Sequence, residues 1–188
     1  AMQQLVNEFR DYARLPAARL QPVDLVALAA EVLALYGQAQ DSGRLVARLD
    51  PGLPPILGDP TQLRQVIHNL VQNGLDAVAE RADGRVELTV AAARGDDGRL
   101  RAVRLTVRDN GPGFAAHVMQ RAFEPYVTTK SKGTGLGLAV VKKIADEHRA
   151  RISVGNLRAG DGGVAGARVS LSFSELAPAA TDRAALTA

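Results

Sequence analysis

"GDPTQLRQVIHNLVQNGLDAVAERADG", residues 58–84, is the stretch whose reading decides the fold. Asp59 stands before Pro60 and three residues before Gln62, the pattern of a capped helix start with proline in the first turn. Leu63, Val66, Ile67, Leu70, Val71, Leu75 and Val78 recur at helical spacing, which predicts one long amphipathic helix closed by "ADG". Asn69, Asn73 and Asp76, spaced by four and three residues, share one edge beside that apolar stripe. An unpaired amide there is costly. Amide oxygens at this position suit a hard cation such as Mg2+, and they suit a bond to a neighbouring loop equally well.

Upstream, Leu5, Phe9 and Tyr12 mark one face of a short helix that ends at the prolines of "RLPAARLQP". Asp24 is placed to cap a helix running through Leu25, Leu28, Ala29, Val32, Leu35 and Tyr36, with Gly37 as its stop. "RLVARLD", 44–50, reads as a strand. Downstream, alternating Val86, Leu88, Val90 and Val103, Leu105, Val107 flank "RGDDG" and predict a hairpin over 85–92 and 100–108. A short helix near 115–122, a polar segment 124–134, a long helix from about Gly135 to Glu147, and the strands "RISVGN" and "GARVSLSF" complete the chain. The predicted fold class is a two-layer α/β sandwich: a mixed sheet of about five strands with three helices on one face. The alanine-rich tail after Ser174 has no apolar period and is expected to be disordered.

Two glycine-rich motifs border the polar segment. In "DNGPG", 109–113, Asp109 ends a core strand, so its carboxylate emerges at the rim of the sheet, and Gly111 and Gly113 allow close backbone approach. A carboxylate there can accept a hydrogen bond from an exocyclic amine, although Asn-Gly and Pro-Gly are also ordinary turn dipeptides. In "GTGLGL", 133–138, Gly133, Gly135 and Gly137 precede and open a helix, where free N–H groups favour phosphate. The spacing is neither a dinucleotide fingerprint nor a P-loop.

Composition narrows the alternatives. The chain has 188 residues, 46% hydrophobic and 23% charged, enough for a real core, and no apolar run long enough to span a bilayer. It has no cysteine, so disulfides and thiolate metal sites are excluded. The net charge is +3, but the basic residues are scattered along the sequence and aromatics are only 4%, which argues against nucleic-acid binding.

"NLVQNGLDA", "DNGPGF", "FEPYVTTK" and "GTGLGL", in this order, resemble the N, first glycine, F and second glycine boxes of sensor histidine kinases. These belong to the superfamily that includes gyrase, the Hsp90 chaperone and MutL-type repair proteins. The resemblance spans about residues 22–173, and "VNEFRDYARLP" is similar to the end of the dimerisation hairpin in nitrogen-regulation-type membrane sensor kinases. It implies an ATP-binding catalytic domain over 21–174, preceded by the end of the dimerisation and phosphoacceptor hairpin with its linker (1–20) and followed by the tail 175–188.

By resemblance, Asn73 with Asn69 would hold Mg2+ and phosphate oxygens, with Asp76 on the same helix edge. Asp109 would read the adenine amino group, and Gly111 and Gly113 would shape the base pocket. Gly133, Thr134, Gly135, Leu136 and Gly137 would approach the phosphates, with Lys130, and more weakly Arg121, as the lid cation and Phe123 as the lid's anchor. The hydrolysing members and the serine-directed kinases have a glutamate where this chain has Asn69, and an amide is no general base. Asn69 therefore favours a histidine kinase over an ATPase-type clamp; a non-enzymatic nucleotide-sensing module is the third reading. Two departures stand out: Gly74 replaces the usual alanine, and "GAR" at 166–168 has Ala167 where a hydroxyl is common.

None of His68, His117 and His148 is followed by the acceptor motif, so no catalytic residue is assigned in the chain and the acceptor histidine is expected upstream. The implied partners are ATP, the protein's own phosphoacceptor domain and a response regulator. A homodimer is implied for the full-length protein, and no membrane contact by this segment. The need for ATP implies cytoplasmic placement, with the full-length protein anchored in the inner membrane if it is a membrane sensor.

Overall fold

The computed structural model describes residues 15–121 and 137–178. Their elements are β1 (Gln21–Val23), α1 (Leu25–Leu33), a 3-10 turn (Ala34–Tyr36), α2 (Gly37–Asp41), β2 (Leu45–Leu49), β3 (Ile56–Gly58), α3 (Pro60–Ala77), β4 (Val86–Arg94), β5 (Leu100–Asp109), α4 (Ala116–Gln120), α5 (Gly137–Glu147), β6 (Arg151–Arg158) and β7 (Val164–Phe173). Five strands form a mixed sheet in the order β2-β4-β5-β7-β6, with β2 and β4 parallel and the other neighbours antiparallel. Helices α1, α3 and α5 cover one face, as the periodicities predict. The core between them includes Val66, Ile67, Leu70 and Val71 from α3, and Val141 and Ile144 from α5. From the sheet it includes Val86, Leu88, Val90, Val103, Leu105 and Leu171.

The parallel pair β2–β4 requires a crossover. Helix α3 supplies it and therefore runs back against the direction of its flanking strands, bringing its C-terminal half to the edge where β4 starts and β5 ends. That edge carries Asp109, paired across the sheet with Val86 on one side and Ala167 on the other.

Asp59 caps α3 as expected, its Oδ1 accepting from Thr61 N at 3.0 Å and Gln62 N at 3.2 Å. Its Oδ2 also accepts from Arg19 N at 3.0 Å, and Gln62 Nε2 donates to Pro16 O at 2.7 Å, so the incoming chain is tied to the start of this helix. From the other side, buried His148 accepts from Asp59 N at 2.9 Å through Nε2. Its Nδ1 bonds the carbonyl of Ile144 at 2.8 Å, which selects the neutral tautomer protonated at Nδ1. Burial pushes the Asp59 carboxyl up, but the N–H groups of Arg19, Gln62 and Thr61 outweigh it and hold the group below its ordinary value. A lowered folded pKa contributes stability above the ordinary carboxylate range, which is lost as pH falls through the folded value. Asp59→Asn should therefore be less stable than the parent near neutrality, with the gap closing in acid. Urea unfolding at the two pH values checks this; a gap that widens in acid would contradict the capping geometry.

Several expectations are corrected. Gly37 is not a helix stop: α1 ends at Leu33, a 3-10 turn follows, and Gly37 opens α2 with ordinary helical angles. Helix α3 ends at Ala77, before "ADG": Val78, its side chain fully buried, is the C-cap and has left helical geometry. A second, two-stranded sheet pairs β1 with β3, which short apolar stretches between prolines did not announce. The boundary at Ser174 falls short: Glu175 O accepts from Leu57 N at 2.9 Å and Ala177 N donates to Pro55 O at 2.8 Å. Residues 175–177 thus extend that small sheet and bury Ala177, while 179–188 lie outside the described residues.

Candidate functional site

Helix α3 touches the sheet edge and the start of α5 at three places. At Gly74, an added Cβ would meet both methyls of Val86 at 3.0 and 3.1 Å, so glycine lets the helix sit close on β4. This accounts for a residue that costs an isolated helix up to about 1 kcal/mol. One turn on, a Cβ at Gly111 would come within 2.8 Å of Ala77 O and 3.1 Å of Asp109 Oδ1. At the third, a Cβ at Gly137 would fall 3.1 Å from Asn73 Nδ2 and 3.6 Å from its Oδ1. Asn73 therefore lies against the opening of α5, while Gly111 and the rim carboxylate lie by Ala77 at the end of α3, and these residues come from three separate stretches of sequence.

Asp109 Oδ1 accepts from Gly111 N at 2.9 Å, which orients the carboxylate across the turn. Asn69 and Asn73 are half-buried, whereas Asp76 is exposed and accepts from Gln72 Nε2 at 2.9 Å. Ala167, buried, is the cross-strand partner of Asp109 and offers a methyl and no hydroxyl at that position. Arg121 is exposed at the end of α4. Phe123, Lys130, Gly133, Thr134, Gly135 and Leu136 lie outside the described residues. Among the described residues no group of three or more His, Asp or Glu could by itself hold a metal ion.

The three histidines separate clearly. His148 is the buried link described above, and His117 is exposed on α4. His68, next to Asn69, pairs through Nδ1 with the Tyr36 hydroxyl at 2.5 Å. Burial and the nearby Asp76 charge push that phenol up to about 12, so it stays protonated and can donate to the ring.

Sequence reading missed two asparagines that shape this edge. Asn110 Oδ1 accepts from Arg85 N at 2.7 Å while its Nδ2 donates to Asp83 O at 2.8 Å, fastening the loop before β4. Asn156 on β6 accepts from Phe114 N at 2.7 Å and donates to Phe114 O at 2.8 Å, standing in for a strand neighbour. Both follow from amide chemistry, but only the fold reveals the partners, 42 residues away for Asn156. A concavity of 920 Å³ opens beside this clamp, bordered by Pro112, Phe114, Met119, Asn156 and Val164 but not by Asn73 or Asp109. Asn156→Leu should leave both Phe114 backbone groups unpaired and destabilise the chain by about 1–3 kcal/mol. Amide exchange in 112–115 should accelerate, and unchanged exchange would show the clamp to be dispensable.

The chain is similar to known proteins in sequence and in fold. The sensory histidine kinase/phosphatase NtrB of Rhizobium leguminosarum bv. phaseoli is 36% identical over 154 residues, covering 77% of this chain and 40% of that protein. The sensor histidine kinase ZraS of Escherichia coli O157:H7 is 34% identical, covering 83% of this chain and 33% of that one. The chain thus spans less than half the length of these relatives. Full-length ShkA, crystallised in complex with AMPPNP, superposes with a TM-score of 0.75 at 31% identity, over 95% of this chain and 37% of that one. The catalytic domain of histidine kinase ThkA, nucleotide-free, gives 0.68 at 26% identity, over 84% and 96%. The family described as "Histidine kinase-, DNA gyrase B-, and HSP90-like ATPase" matches residues 58–176, from the cap of α3 through the end of the sheet, and the chain belongs to it.

Proposed function

We propose that this chain is the ATP-binding catalytic domain of a two-component sensor histidine kinase. It would present the γ-phosphoryl of Mg–ATP to a histidine on a separate hairpin domain, for relay to a response regulator. The observation that carries the reading is that one helix, α3, sets Asn73 against Gly137 and ends at Ala77 beside Gly111, whose N–H holds Asp109.

The residues fit such a ligand. Gly111, buried, lets the turn pack against Ala77 beside Asp109, and Gly137 leaves the start of α5 free of a side chain next to Asn73. Asp109 offers an acceptor to an exocyclic amine, and Asn73 with Asn69 offers hard oxygens to Mg2+. When bound, Mg2+ neutralises phosphate charge. The chain's own contribution is positioning: Asp109 fixes the base end, α3 fixes the amide donors relative to it, and the N-terminus of α5 favours negative charge. Lys130, Gly133, Thr134, Gly135 and Leu136 extend the proposal to the phosphate end, and Phe123 anchors the segment carrying them. Asn69, an amide where a general base would be needed to activate water, directs transfer to a nucleophile from elsewhere. In this reading residues 1–20 belong to the hairpin and its linker, and the full-length protein is a homodimer placed where ATP is available.

Calorimetry should detect adenine-nucleotide binding that weakens when Mg2+ is chelated. Radiolabelled ATP, added with the chain and a hairpin protein bearing the acceptor histidine, should label that histidine. Steady phosphate release without labelling would favour the ATPase-type clamp, and no nucleotide binding by folded protein would refute the reading altogether.

A further inference from the structure

The sheet face opposite the helices gathers charge that is scattered in sequence. The register sets Glu87, Arg108, Arg168 and Gly155 in one outward row, and Thr89, Thr106, Ser170 and Ser153 in the next. A third row holds Ala91, Arg104, Ser172 and Arg151, and Arg48 joins the middle row from β2. Within the paired register this face therefore bears five arginines against one glutamate, an excess larger than the net +3 of the whole chain.

The arrangement is poorly neutralised. Glu87 pairs with Arg48 at 3.8 Å, and among the described residues Arg104, Arg108, Arg151 and Arg168 form no salt bridge. Arg108 and Arg168 are direct cross-strand neighbours, a like-charge pair that disfavours the sheet. A Cβ at Gly155 would lie 3.2 Å from the Arg168 guanidinium, so glycine leaves room for that planar group. At the centre, Thr106 and Ser170 bond each other at 3.2 Å, and Arg104 donates to Ser172 at 2.9 Å.

We propose that this open face docks an acidic, extended polypeptide segment. Guanidinium forks match carboxylates in two-point contacts, and the exposed Ser153 hydroxyl adds a donor beside them, whereas Thr106 and Ser170 are buried and bond each other. Arg104 and Arg108, four residues apart on one strand, are separated by about 13–14 Å, the span between carboxylates at i and i+4 of an extended chain. Among the described residues the paired register of this face carries no aromatic platform for bases. Its apolar side chains Val46 and Leu157 stand half-buried on the two opposite edge strands rather than as one patch for insertion into a bilayer, which sets a carboxylate-bearing polypeptide ahead of nucleic acid or membrane. This surface is independent of the proposed nucleotide site.

The test is fluorescence anisotropy of the full chain with a labelled peptide alternating glutamate and serine, at low and moderate salt. Binding should weaken with salt and should be about tenfold weaker for the combined variant Arg104→Ser/Arg108→Ser/Arg151→Ser. Circular dichroism and adenine-nucleotide titration serve as controls that the variant is folded. No peptide binding at low salt, or equal binding by the folded variant, overturns the proposal. So does tighter binding of an oligothymidylate or of phosphatidylserine vesicles than of the peptide.

Discussion

Asn73→Ala is expected to reduce affinity for Mg–ATP by about a hundredfold or more while leaving Tm nearly unchanged. The amide is half-buried at the margin of α3, so removing it neither empties the core nor breaks the helix. Alanine favours helix, which offsets part of any lost side-chain contact. Binding is another matter, because the proposed site loses a hard oxygen donor beside the start of α5, where an added Cβ at Gly137 would lie 3.1 Å from Asn73 Nδ2. Water can replace that donor only by giving up the fixed geometry that the helix supplies. Calorimetry with and without Mg2+ separates the contributions: a purely structural asparagine would cost equal affinity in both conditions and would lower Tm. Wild-type affinity in the variant would remove Asn73 from the site.

Gly166→Ala carries the largest expected structural effect. The φ of Gly166 is +153°, and a Cβ there would fall 1.8 Å from Asp109 O, 2.9 Å from its carbonyl carbon and 3.1 Å from Asn110 Cα. All three are backbone atoms, so no rotamer change relieves the overlap, and β5 and β7 would have to part at the residue proposed to read the base. A cost of at least about 3 kcal/mol is expected, together with weakened nucleotide binding. Gly162, on the same hairpin with φ +85° and nothing within 4 Å of an added Cβ, is the control: its alanine variant bears only local strain. Thermal unfolding of the two variants decides the matter, and equal Tm losses would mean that the approach of Gly166 to Asp109 is not what requires glycine there.

The fold was legible where one physical signal dominated. Asp59 before Pro60 and the stripe from Leu63 to Val78 announced α3, and alternating valines and leucines announced β4 and β5 with their turn. What escaped was short or dependent on partners. β1 and β3 are three residues each, too brief for a period, and residues 175–177 are held by backbone bonds with Pro55 and Leu57 and by packing of Leu176 on the core, all to partners distant in sequence. Gly37 looked like a stop because glycine often terminates helices, yet its backbone here is helical.

The sequence alone determined the two-layer class, the edge of α3 that carries Asn69, Asn73 and Asp76, and the pairing of acid with glycine at 109–113. These follow from local periodicity and side-chain chemistry, which need no distant partner. Only the tertiary structure decided that Asn73 meets Gly137, that Ala77 and Asp109 crowd Gly111, and that Asn156 fastens Phe114. The same holds for the arginines: spacing along the chain left them dispersed, and strand register brought them onto one face. The physical reason is common to all of these. Packing and backbone pairing join residues far apart in the chain, and no pattern within a single segment records which segment it will face.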